Sequence, residues 1–126
     1  MTFDDLNPKF HFFSPIAAPG TNAIEHVDRA IIALDGRAPI AGDWFVEALN
    51  PLASTGTVRV ELWVSDLADF TCTYGFVLSS ENGSVPYARG ERTVVNIDPH
   101  SRAPQTWSNE FRSAHTELLK DLPAYA

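Results

Sequence analysis

The sequence predicts an α+β domain: an antiparallel sheet packed on one helix, with a second helix near the C-terminal end. Three observations predict it. Two consecutive runs within residues 55–80 alternate apolar and polar side chains with a period of two, the mark of half-buried strands. An Asn82-Gly83 pair then turns the chain into a third such run. Upstream, Ile24, Val27, Ile31 and Leu34 recur three and four residues apart, the spacing of one helical face. Local strand connections and few helices favour an α+β arrangement over a parallel α/β one.

Taken in order, residues 9–16, "KFHFFSPI", predict a short first strand, with Pro15 marking an edge or a strand end. Residues 21–36, "TNAIEHVDRAIIALDG", predict the helix. Asn22 followed three residues later by Glu25 resembles a capping box, and Gly36 supplies the stop. Residues 42–52, "GDWFVEALNPL", read as a strand closed by Asn50-Pro51. In 55–67, Val58, Val60, Leu62 and Val64 share one face, with Arg59, Glu61 and Trp63 on the other. A turn is predicted over 65–68. In 69–80, Phe70, Cys72, Tyr74 and Phe76 oppose Thr71, Thr73 and Val77. The third strand of this meander covers 85–97, where Gly90 suggests a bulge. A helix over about 108–121 carries the stripe Phe111, Ala114, Leu118, Leu119 and Leu122.

The 126 residues suit one domain spanning 1–126. Sixteen acids against nine bases give a net charge of −7, which argues against nucleic acid as a partner because phosphate binding needs a basic patch. No run approaches the ~18 apolar residues of a membrane span. One cysteine, Cys72, excludes an intrachain disulfide, and the acidic start is unlike a signal peptide, so a cytoplasmic setting is expected. Cys72 alternates in phase with aromatic residues and reads as a buried small hydrophobe. The histidines are scattered and no glycine-rich phosphate loop is present, so neither a metal nor another cofactor is expected.

Three stretches resemble the hotdog-fold thioesterase superfamily, in its hydroxybenzoyl-CoA thioesterase-like branch. Residues 44–67 are similar to the family's second and third strands, joined through an "x-L-x-P-L" turn. Residues 70–104 are similar to its hairpin and its "A-x-G-x-x-x-x-V-x-x-D" ending. "TNAIEHVDRA" is similar to its "T-D-A-x-G-H-V-N-N-A" loop. The resemblance implies a curled sheet of about five strands wrapped around the central helix, and hydrolysis of an acyl-CoA or acyl-carrier thioester at an interface within a homodimer or homotetramer. It also implies a divergent active-site loop. Asn22 stands at the position of the family's catalytic carboxylate, Glu25 replaces a glycine, and Asp28 replaces an asparagine, while His26, Val27 and Ala30 hold their places.

Thioester hydrolysis needs a carboxylate to attack or to activate water, together with N–H donors for the oxyanion. An asparagine amide is neither a base nor a useful nucleophile, though it can hold a water. Asn22, Glu25 and Asp28 are therefore the candidate catalytic residues, with the two acids as possible replacements for the missing one. The resemblance places His26, Val27 and Arg29 at the substrate site and Arg89, Arg92 and Arg102 near CoA phosphates. Each has a structural alternative. Asn22 can be an N-cap, Glu25 a capping partner or a pair for Arg29, Asp28 a solvated helix acid, His26 a loop-bonding residue and each arginine a surface charge. The helix begins at Asn22 by its capping chemistry and nearer Asp28 by the family pattern. "DLNPKFH", residues 5–11, resembles a hydratase motif, but an extra residue separates Pro8 from the histidine and an exposed turn accounts for it. A non-catalytic hotdog module that binds an acyl thioester or lipid, or an oligomeric scaffold, is the second reading of the chain.

Overall fold

The computed structural model describes residues 9–16 and 22–119. The elements run β1 (Phe10–Pro15), α1 (Ala23–Asp35), β2 (Gly42–Ala48), β3 (Thr57–Leu67), β4 (Thr71–Ser80), β5 (Pro86–Val95) and α2 (Asn109–Thr116). This is the predicted order of strand, helix, four strands and helix. The strands form one five-stranded sheet in the order β1-β3-β4-β5-β2, every pairing antiparallel. β1 is an edge strand, as Pro15 suggested, and β2 is the other edge. Asn7-Pro8 and Leu122 lie outside the described residues. The last helix stops at Thr116 instead of about residue 121. Leu118 and Leu119 of its predicted stripe follow it in a turn that meets β3, where the Val64 N–H donates to the Leu118 carbonyl.

The period-two pattern decides what the sheet buries. Val58, Val60, Leu62 and Val64 on β3 and Cys72, Tyr74, Phe76 and Leu78 on β4 are fully buried on the inner face. Val27, Ala30 and Ile31 of α1 pack onto this face. Complete burial of such aliphatic and aromatic side chains is worth about 1.5–3 kcal/mol each. α1 lies against β1, β3 and β4, and α2 against β3.

Four local expectations change. The bend predicted at 65–68 lies partly inside β3: the register shifts between Val64 and Asp66, and the chain reverses over residues 68–70. Phe70 therefore sits at the reversal, 44% exposed, rather than on the buried face. At the Asn82-Gly83 turn only Gly83 takes a positive φ, 81°; Asn82 instead accepts from the Ser84 N–H through its side chain, which suits a loop longer than two residues. Gly90 marks a close approach instead of a bulge. It pairs in register with Val46 and Phe76, and a Cβ there would fall 1.9 Å from the Phe45 carbonyl oxygen. In α2, Ala114 is exposed and the inward positions are Phe111 and His115, four residues apart.

No helix among the described residues is long and apolar enough to cross a membrane.

Candidate functional site

The start of α1 is settled by capping. Asn22 is extended (φ −103°, ψ 173°) and its Oδ1 accepts from the Glu25 N–H at 3.0 Å, so the helix begins at Ala23 rather than near Asp28. Gly36 closes the other end, donating its N–H to the Ile32 carbonyl. Ala23 and Ile24 stand in the first turn, where N–H groups have no partner within the helix. Those amides and the helix dipole favour negative charge at this end.

Three sides of the helix meet different neighbours. Toward the sheet, Val27 is fully buried in the core, with no surface left for a substrate. Toward β1, the fully buried His26 and Ser14 meet through Nδ1 and Oγ at 2.6 Å. Arg29 donates to Ser14 Oγ at 3.2 Å and to the Pro15 carbonyl at 3.0 Å. Because Ser14 already accepts from Arg29, its own hydrogen is available to His26 Nδ1. His26 Nε2 is buried with no partner among the described residues. Burial above all, and then the Arg29 charge, hold the His26 pKa below its ordinary value, so the ring stays neutral.

Toward β5, Asp28 accepts from Arg92 Nε at 3.4 Å. Burial pushes the Asp28 pKa upward, and the nearby Arg92 opposes this without cancelling it. Glu25 is exposed. Arg89, grouped with Arg92 in the sequence reading, projects from the opposite face of β5. There it pairs with Glu47 at 2.9 Å, which raises its pKa. The two arginines do not form one anion site.

A second polar cluster lies at the far end of α1, and sequence reasoning did not find it. Asp35, the last residue of the helix, accepts from the Tyr74 hydroxyl at 2.6 Å and lies 2.8 Å from His115 Nε2. Tyr74 also lies 2.8 Å from His115 Nε2. His115 Nδ1 is 2.8 Å from the Phe111 carbonyl, which can only accept, so Nδ1 carries a hydrogen. The His115 ring stacks on Phe111, which stacks on Trp107. An open cleft of about 640 Å³ lies alongside, lined by Leu34, Arg37, Asn96, Trp107 and Phe111 among others. The available signal was a tyrosine in the buried phase of β4 and a histidine four residues from Phe111. Cys72 is buried, and burial pushes its thiol up to about 12, so it is no nucleophile. Among the described residues no three His, Cys, Asp or Glu side chains are grouped to hold a metal.

No family model matches the chain, and no curated protein matches it by sequence. Solved structures do. A candidate thioesterase from Pseudomonas aeruginosa superposes with a TM-score of 0.70 at 17% identity, covering 83% of this chain and 96% of its own. A 1,4-dihydroxy-2-naphthoyl-CoA thioesterase from Synechocystis gives 0.66 at 11%, covering 88% and 98%. A Staphylococcus aureus protein in complex with CoA gives 0.67 at 11%, covering 93% and 89%. At these identities the likeness is one of fold. The chain has the hotdog fold, and two of these three structural neighbours are described as thioesterases.

Proposed function

We propose that this chain hydrolyses an acyl-CoA or acyl-carrier thioester at the start of α1, with Asp28 as the general base, in the hydroxybenzoyl-CoA thioesterase-like branch of the hotdog superfamily. The observation that carries the reading is Asp28 itself. It is a half-buried carboxyl with a raised pKa, four residues from Ile24 and so on the same helix face as a first-turn amide. The separation along the axis is ~6 Å, at ~1.5 Å per residue. In this reading a thioester carbonyl sits near the amides of Ala23 and Ile24, and one water joins its carbon to Asp28. Asp28 takes the proton as the water attacks, the amides hold the oxyanion, and Asp28 returns that proton to the thiolate as the C–S bond breaks. The neighbours support the substrate class: one is a naphthoyl-CoA thioesterase and another was solved with CoA.

The same reading assigns the free edge of β2 to a second copy of the chain. This strand shows Phe45, 62% exposed, and Val46, 38% exposed, which suits edge-to-edge pairing in a homodimer or homotetramer. A cytoplasmic setting belongs to it too.

Thiol release across a panel of acyl-CoA esters tests the proposal. Asp28→Asn is expected to lose about 10²–10⁴-fold in kcat, the usual contribution of a general base, whereas Glu25→Ala stays within a few fold. No release across the panel would overturn it. One observation favours a second reading, the non-catalytic module: Asn22 Oδ1, at the family's acid position, is occupied by its capping bond. A rise in melting temperature with acyl-CoA that is never consumed would establish that reading instead.

A further inference from the structure

Arg92 occupies a position where the sheet otherwise buries small or apolar side chains. Ala88 and Val94 flank it in the same phase of β5, and it is itself 6% exposed. A buried guanidinium is costly unless each part of it is engaged. Nε faces Asp28 Oδ1 at 3.4 Å, and Nη1 donates to the Thr93 carbonyl at 3.1 Å. The guanidinium carbon lies over the Trp44 ring at 4.5 Å from its centre, with Trp44 directly opposite Arg92 in the β2–β5 register. Trp44 is fixed in turn by an edge-on contact with Phe76 of β4, ring centres 6.2 Å apart. Three strands thus set one cation against one carboxyl of the helix.

We propose that Arg92 is the positioning residue of Asp28, clamped for that task between the Trp44 ring and the Thr93 carbonyl. The inference rests on Asp28 being the reacting carboxyl. It replaces a role in CoA phosphate binding for Arg92, which has its Nε turned to the helix. Only Oδ1 of Asp28 is engaged among the described residues, so Oδ2 is left to take a proton. Arg92 also sets the strength of the base. Its charge favours the ionised carboxyl against the burial that disfavours it, and Trp44 keeps the guanidinium at its distance.

The test is the titration of Asp28 followed by carboxyl ¹³C NMR on the full chain, with Asp28→Asn to assign the signal. In Arg92→Gln the midpoint is expected to move upward, and in Arg92→Lys to return toward that of the unmodified chain. Trp44→Leu keeps the charge but frees it, and is expected to give a smaller upward move. An Asp28 midpoint unmoved by Arg92→Gln would overturn the proposal. Should that variant fail to fold, an unmoved midpoint in Trp44→Leu would do so. The readout does not depend on turnover. A midpoint that answers to Arg92 in a chain that never releases thiol would sink the hydrolase reading while the pairing stands. Thiol release with a midpoint indifferent to Arg92 would do the reverse. Where both hold, the acid limb of kcat/KM shifts to higher pH in Arg92→Gln.

Discussion

The two ends of α1 are built on opposite terms. At the C-terminal end, Asp35, Tyr74, His115 and the Phe111 carbonyl close a network in which both carboxylate oxygens and both ring nitrogens are engaged. At the N-terminal end, His26 Nε2 is buried without a partner among the described residues, and Asp28 holds its arginine through one long contact. A closed network has nothing left to offer a ligand and acts as a fastener between α1, β4 and α2. An open one forgoes stability and keeps groups in reserve for chemistry. Polar burial alone does not mark a functional site; unspent bonding capacity does.

The largest effect should come from opening the closed end. His115→Ala removes one of the two partners of a carboxylate that is 7% exposed and the outer ring of the stack, so a loss of about 2–5 kcal/mol is expected in urea unfolding. An effect below 1 kcal/mol would erase the distinction between the two ends. Next comes a pH effect at the open end. The folded chain holds His26 below its ordinary value of 6.5, so the unfolded chain binds the proton first. This part of the stability is present above about pH 6.5 and is lost as the pH falls. His26→Asn should flatten that acid-side loss between pH 7 and 5, read from urea midpoints. Asn22→Ala removes one cap and should cost about 1 kcal/mol in the same measurement. Asn22→Asp should change stability least, gaining about 0.3–1 kcal/mol from a negative charge at the helix start. It is also the sharper test of chemistry, since a carboxylate at this position should raise thiol release.

Most of the sheet was legible because alternation is local: Val58 to Val64 announce their buried face within seven residues. The start of α1 was legible for the same reason, since Asn22 and Glu25 are three residues apart. The fastener was not, because its bonds join residues 39 and 80 apart in sequence and no local period encodes them. Arg89 and Arg92 were misgrouped through a rule the sequence did contain. Three residues apart on a strand, they must face opposite sides of the sheet. The pairing of Arg92 with Asp28 spans 64 residues and depends on how α1 crosses the inner face of the sheet, which needed the fold.

Each end of the helix also carries its own fluorophore. Trp44 lies under the Arg92 guanidinium at the open end, while Trp107 is stacked on Phe111 at the closed end. Emission from the first should answer to whatever enters beside Asp28, and emission from the second to release of α2. With Trp63 and one of these two replaced by phenylalanine, binding beside Asp28 and loosening of the frame become separate colours of one experiment.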